Sequence, residues 1–327
     1  MNDDNLPEQP DSWFKINTLN FILIATGILS NLMLIKMVAL RKLFDNYCRV
    51  GMGIISISVI FYLASYGIAT IICVVTGSIL KNSYCIEYYT TANIMDFVYC
   101  FSAAVFFTSH VAFSIERIIS INYPEFHNSK KFRNYFCFGI IFIFVFSVIM
   151  ACFHKSGNVK LDRIYGLTTQ VLVLSNIPLI LLAKVFSRKM YRADVSTYDL
   201  TRKHQLFNSY EITRSFVFAM IVDLIIQCFV FVLQYMFLVG HYFFDSEQVP
   251  EMDAIVQIFW NLNHTIFPWS VILFHRGLRI NLKKAFCSKS QVNTSGMTSF
   301  DGQRIVPNPT QNECFEQMKA AWTQEKF

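Results

Sequence analysis

Residues 91–119 read TANIMDFVYCFSAAVFFTSHVAFSIERII, and this stretch decides the fold. As a helix it is long enough to cross the ~30 Å hydrocarbon core of a bilayer at ~1.5 Å per residue. Its only acidic or basic residues are Asp96 near one end and Glu116-Arg117 near the other. Asp96, Cys100, Ala103, Phe107, His110, Ser114 and Arg117 follow 4-3-4-3-4-3 spacing, which keeps them on one helical face. A charged side chain deep in a membrane costs ~3 kcal/mol or more, so this face turns toward the interior of a helix bundle.

Six more blocks of this kind surround it. Apolar stretches fall at 19–40, 50–79, 134–153, 166–187, 214–239 and 254–275. The whole chain of 327 residues is 54% hydrophobic and 15% charged, where a soluble domain carries roughly 25% charged residues. The composition therefore excludes a water-soluble protein and predicts an all-α membrane protein, a seven-transmembrane helix bundle. The expected organisation is an N-terminus over 1–18, a membrane domain over 19–275, an amphipathic surface helix over 276–287 and a flexible tail over 288–327.

The net charge is +6, and its distribution orients the bundle. Segments after spans one, three and five, with the tail after span seven, hold 21 of the 28 Lys and Arg. The opposite segments hold 5, and Lys36 and Lys184 within spans complete the set. Basic loops resist translocation, so the N-terminus is expected outside and the C-terminus in the cytoplasm. The acidic start (Asp3, Asp4, Glu8, Asp11) lacks the basic n-region of a cleaved signal peptide. After span seven, Arg276, Arg279, Lys283 and Lys284 interleave with Leu278, Leu282 and Phe286, a pattern for a helix lying on anionic inner-leaflet lipid. Cys287 ends it, either as a palmitoylation site or as a plain thiol. The sequons at Asn263 and Asn293 fall in a span and in the cytoplasmic tail, where neither is glycosylated.

Several residues carry chemistry, each beside a simpler reading. Asp96 is either a ligand contact or a water-exposed residue near the span's end. His110 is a packed histidine. Arg117 is either the moving part of an ion-pair switch that also involves Glu116, or a basic residue snorkelling to the interface. Glu211, at the inner base of span six, is the candidate second carboxylate. Asp223, Gln227 and Gln234 share one face of span six, and Gln257, Asn261 and His264 share one face of span seven. Such stripes face inward, as interhelical ties or as pocket walls. Gln234, Gln257 and Asn261 lie toward the outer side and are, with Asp96, the ligand-pocket candidates. No C-x-x-C pair or Cys/His cluster appears, so no metal or other cofactor is expected. Paired His motifs and a nucleophile elbow are also missing, which argues against an enzyme, and no nucleic-acid partner is expected.

Glu116-Arg117-Ile118, with Pro124 seven residues after the arginine, resembles the (D/E)R(Y) region of rhodopsin-like receptors. Gly27-x-x-x-Asn31 resembles their span-one asparagine region, and Pro178 and Pro268 match their kinking prolines. Span two has no acidic residue, span four no Trp and span six no Cys-Trp-x-Pro, while Phe267-Pro268-Trp269-Ser270-Val271 stands where Asn-Pro-x-x-Tyr is usual. In the third inner loop, Asp199-Leu200-Thr201-Arg202-Lys203-His204-Gln205-Leu206, running on to Tyr210-Glu211, resembles the Leu-Ser-x-Arg-Tyr-Gln-x-x-Glu-Asn signature of nematode serpentine chemoreceptors of the alpha-like group (Sra, Srab, Srb and Sre classes), with the Glu-Asn pair displaced. The resemblance implies a chemosensory receptor that meets a small-molecule cue outside and a heterotrimeric G protein inside. It also implies a plasma-membrane location, with the sensory cilium membrane as one candidate. By the same resemblance, a staple from span three to the outer loops would pair Cys85 with Cys152, the nearest outward cysteine. The rival reading is a small polytopic transporter or ligand-gated channel, against which stands the lack of an internal repeat.

Overall fold

The computed structural model describes residues 11–39, 44–75, 90–193, 200–240, 249–286, 297–298 and 304–305. Seven long helices occupy the predicted spans: α1 (Asp11–Ala39), α2 (Asn46–Val75), α3 (Thr90–Asn122), α4 (Lys130–Lys155), α5 (Val159–Ala193), α6 (Leu200–Gly240) and α7 (Val249–Phe274). The amphipathic segment forms α8 (Arg276–Phe286), matching the expected 276–287 within one residue. The chain divides into two compact units, Met1–Ile280 and Asn281–Phe327. The second contains a two-residue antiparallel ladder of β1 (Met297–Thr298) and β2 (Arg304–Ile305), with Met297 opposite Ile305.

Sequential helices pack side by side, and α7 returns to α1 to close a ring. Helix α3 stands inside it, touching α2, α4, α5 and α6. Burial follows: 67% of the most apolar stretch of α3 is buried against 22% for α4. The outward side of α4 carries Phe138, Ile141, Phe142, Val145 and Ile149, all exposed. An apolar face of this extent has no aqueous reason and is a lipid-facing surface. The inward face predicted for α3 holds, with Cys100, Ala103, Phe107, His110, Ser114 and Arg117 all buried. Six helices are apolar enough to cross a membrane on composition alone among the described residues. Helix α7 is the exception, because Gln257, Asn261, Asn263 and His264 interrupt its apolar run.

Those polar residues close the ring. Proline at 268 has no N–H, so the carbonyl of His264, four residues back, lacks its helical donor. Asn31 of α1 supplies one: its Nδ2 donates to His264 O at 3.2 Å and to Gly27 O at 2.9 Å. Asn261 Nδ2 donates to Asn20 Oδ1 at 2.9 Å, and Thr265 Oγ1 to Leu23 O at 3.0 Å, extending the seam. The close approach needs Gly27. A Cβ there would stand 2.6 Å from Leu63 Cδ1 and 2.8 Å from Thr265 Oγ1. On the other side of α7, Asn263 Nδ2 donates to Asp223 Oδ1 of α6 at 2.5 Å, while Gln227 Nε2 donates to Asp223 Oδ2 at 2.9 Å.

Two connections differ from expectation. Residues 154–166 read as an outer loop, yet α4 runs to Lys155 and α5 begins at Val159. The turn between them is Ser156-Gly157-Asn158. Gly157 takes the left-handed φ of 67° that favours glycine, and Asn158 Oδ1 accepts from Lys160 N at 2.9 Å, capping α5. Charged Lys160, Asp162 and Arg163 hid this helix start from a hydropathy reading. In the third inner loop, α5 likewise continues to Ala193 and α6 starts at Leu200, so the predicted loop is largely helical.

Gly27→Val forces branched carbons into the contact of α1 with α2 and α7. Overpacking costs about 1–3 kcal/mol, and the expected result is a lower Tm in detergent-solubilised protein, measured by thiol-reactive dye unfolding. A Tm equal to wild type would contradict the tight seam.

Candidate functional site

The inner end of α3 carries a guanidinium with no solvent exposure. Arg117 Nε donates to Glu116 Oε2 at 2.6 Å, and Nη2 donates to Glu116 Oε1 at 2.5 Å and to Asp45 Oδ2 at 2.8 Å. The Phe113 ring lies under the cation, its centroid 5.5 Å from Cζ. Glu116 is itself buried and takes a further contact from His127 Nε2, which meets Oε1 at 2.7 Å. Among the described residues, Arg117 Nη1 is buried with no hydrogen-bond partner. A planar fork of five donors with one nitrogen unmet is held, but not saturated.

Each neighbour arrives by a local rule. Asp45 precedes the first residue of α2 and caps it, Oδ1 accepting from Cys48 N at 2.7 Å. The same carboxylate thus caps α2 with one oxygen and holds Arg117 with the other. Burial alone would raise the Asp45 pKa; the Arg117 charge, with hydrogen bonds from Cys48 N–H and Arg117, outweighs this and holds it below the ordinary value. Its ionised form is therefore favoured by the fold at neutral pH, and that contribution is lost only as pH falls through the lowered value. His127 ends a helical turn, Pro124–His127, set by Pro124 at its first position after α3 stops. Tyr47 packs edge-on against His127 and against Phe132 and Phe136 of α4. Phe44 lies against the His275 ring at 5.0 Å, and His275 Nδ1 accepts from Leu278 N at 3.3 Å at the start of α8. One cluster therefore joins the first inner loop, α3 and the second inner loop.

The sequence candidates fall in different places. Glu116 and Arg117 come together as expected. Glu211 does not join them: its charged neighbours are Arg276, Arg214 and Arg279. Asp45 holds the position anticipated for it, tethering Arg117 toward α2 rather than α6. Asp96 meets Lys155 Nζ at 2.5 Å. Gln257 meets the Tyr99 hydroxyl at 3.4 Å, and that hydroxyl receives one from Tyr62 at 2.9 Å. Asn261 bonds Asn20 on the α1–α7 seam. The side chain of Gln234 lies outside the described residues, as do Cys85 and Cys287. Cys152 is exposed and has no disulfide partner among the described residues. Two cavities, of about 380 Å³ between α1 and α2 and about 240 Å³ between α2, α3 and α4, sit elsewhere, and neither is lined by Asp96, Gln257 or Asn261. His110 is a packed histidine as expected, enclosed by Phe106, Phe216 and Phe267.

Asp45 and His127 were not singled out from the sequence. Asp45 had a signal, since Asp directly before an apolar helix is a cap. His127 had none, because its partner Glu116 is fixed only by the turn at Pro124. A second cluster, Asp96, Cys100 and His154, also departs from the expectation that cysteine and histidine do not gather.

The fold is similar to that in the crystal structure of squid rhodopsin, with a TM-score of 0.62 over 96% of this chain and 93% of that chain, at 14% sequence identity. At this identity the likeness is one of fold. No protein-family model matches the chain, and no curated protein matches it.

The two roles of Asp45 separate by substitution. Asn caps a helix about as well as Asp, so Asp45→Asn removes the negative charge that faces Arg117 and keeps the cap. Asp45→Ala removes both and is expected to be less stable than Asp45→Asn by about 1 kcal/mol, the usual worth of an N-cap. Equal unfolding midpoints for the two variants would deny the cap a share.

Proposed function

We propose that this chain is a chemosensory G-protein-coupled receptor of the plasma membrane, including the membrane of a sensory cilium, that binds a small-molecule cue in the outer half of the bundle and engages a heterotrimeric G protein at the inner end. The observation that carries the reading is the cage around Arg117 in a rhodopsin-like bundle. A cation with no solvent exposure is closed to any cytoplasmic partner, so coupling requires the cage to open. The Asp45 side of the cage is 34% exposed, while the Glu116 side is 5% exposed. Opening therefore begins at Asp45, by moving the start of α2 away from α3. Glu116, adjacent in sequence, travels with the arginine.

The released guanidinium would offer Nη2 and the already unmet Nη1 to carbonyls or carboxylates of the partner. Arg188 and Lys189 near the inner end of α5 add a positive field for an acidic or phosphate-bearing surface. The sequence resemblance to nematode serpentine chemoreceptors of the alpha-like group supports the chemosensory part of this reading. The outer residues Asp96, Gln257, Asn261 and Gln234 remain the candidates for contact with the cue, and the pairing of Asp96 with Lys155 makes that ion pair the first contact a polar cue would meet.

The energetics set the size of the effect. Replacing a charge-assisted hydrogen bond by a neutral one costs about 1 kcal/mol, enough to multiply a minor open population about fivefold. In cells carrying a G-protein reporter, Asp45→Asn is expected to raise ligand-independent signalling several-fold at equal surface expression. Arg117→Ala is expected to abolish it. Silence of Asp45→Asn together with full coupling of Arg117→Ala would remove the cage from the mechanism. Cue-evoked current in cells lacking G proteins would instead favour a ligand-gated channel.

A further inference from the structure

At the opposite end of α3, we propose that Asp96, Cys100 and His154 form a binding site for one thiophilic divalent metal ion of the zinc type. Asp96 and Cys100 stand one helical turn apart on the same face of α3, and His154 comes from the last turn of α4. One donor atom from each lies within 4.8 Å of the other two. Ligands ~2.0–2.3 Å from a tetrahedral zinc stand on the order of 3.5 Å from one another, so small side-chain rotations close the set. Thiolate and imidazole are soft or borderline donors, which select zinc-like ions over calcium or magnesium. Three protein ligands leave the fourth position to water.

The surroundings already have the form of a support for such a site. Asp162 of α5 accepts from His154 Nδ1 at 2.6 Å, which orients the ring, and in the proposed site Nε2 is the nitrogen that turns to the metal. A carboxylate behind a histidine ligand is the common way of orienting one. Tyr165, also on α5, donates its hydroxyl to the Cys100 carbonyl at 3.3 Å and packs against the His154 ring at 5.0 Å. Cys100 is buried, with 1% exposure, so its sulfur is shielded from bulk solvent.

A cation already sits there. Lys155 Nζ lies 2.5 Å from Asp96 Oδ2, and the side chain is 24% exposed, which gives its long stem a way outward. Metal and ammonium compete for one carboxylate: the hydrated ion enters, the Cys100 thiol gives its proton to a water carried in with the ion as the sulfur–metal bond forms, and Lys155 withdraws to water. No electron transfer is involved. In the expected orientation this end faces outside, so the ion comes from the external medium, and binding ties α3 to α4 directly and to α5 through Asp162. The proposal depends on that orientation for its metal source and is independent of any coupling to a G protein.

The test uses the full chain, purified with reduced thiols and a histidine-free tag. Titration with Co²⁺ is expected to give one equivalent bound with a thiolate-to-cobalt charge-transfer band, which Zn²⁺ then erases. Cys100→Ser is expected to remove the band. His154→Ala and Asp162→Asn are each expected to weaken binding by roughly tenfold or more. Lys155→Met is expected to tighten it, a gain that misfolding cannot produce. The proposal is overturned if the charge-transfer band survives Cys100→Ser, if neither wild type nor Lys155→Met shows it, or if Lys155→Met binds no tighter than wild type.

Discussion

A guanidinium with no access to water is the constraint around which the inner half of this bundle is arranged. Removing such a charge from solvent costs several kcal/mol even after relaxation, and only close, well-directed partners offset it. Arg117 obtains them from three directions. Glu116 is next to it in sequence and folds back in bidentate form, Asp45 approaches from the start of α2, and Phe113 lies beneath the plane. Two carboxylates around one guanidinium leave a surplus negative charge. The His127 contact with Glu116 brings in the second inner loop. Fixing one charge thus fixes the start of α2, the end of α3 and the turn at Pro124 relative to one another.

The middle of the bundle solves a different problem with similar economy. Helix α7 carries a proline that breaks its own hydrogen bonding, and in a membrane the orphaned carbonyl has no water to turn to. Asn31 fills that vacancy from α1, and Gly27 one turn earlier makes the approach possible. The polar residues that interrupt the apolar run of α7 are the ones that close the ring on both sides: Asn261 toward α1 and Asn263 toward α6. Polar side chains there mark a helix whose contacts are with other helices.

These features differ in how far the sequence carried them. The seven spans and the inward face of α3 follow from length and 3.6-residue periodicity, which are properties of single segments, and they hold. The basic asymmetry likewise follows from local composition. The pairing of Arg117 with Asp45 spans 72 residues, and that of Lys155 with Asp96 spans 59. Such pairs depend on how each helix is rotated in the ring, which hydropathy does not encode. Glu211 and Asp45 are both acidic residues at the inner end of a span, and only the rotation of α6 toward Arg276 and Arg279 decides between them. The Asp96, Cys100 and His154 cluster was invisible for the same reason: cysteine and histidine are far apart in the chain and meet only through the contact of α3 with α4.

The two clusters lie at opposite ends of one helix, and the nature of that helix bears on how the ends communicate. From Asp96 to Arg117 is 21 positions, about 31 Å along the axis, the depth of the hydrocarbon core. Between them α3 contains neither glycine nor proline, so nothing in its sequence provides a kink. Helices α5 and α7 do carry internal prolines, at 178 and 268. A stiff rod transmits rotation and translation but does not bend, whereas a proline-broken helix bends locally and leaves its far end in place. A change in the contacts of Asp96 that turned α3 about its axis would therefore move Arg117 against Asp45, whose carboxylate is tied to the start of α2 by its cap. The cap is what makes the inner ion pair sensitive: with one oxygen committed to Cys48 N–H, the carboxylate has little freedom to track a moving guanidinium. Rigidity on both sides of the Arg117–Asp45 contact makes it the element that yields.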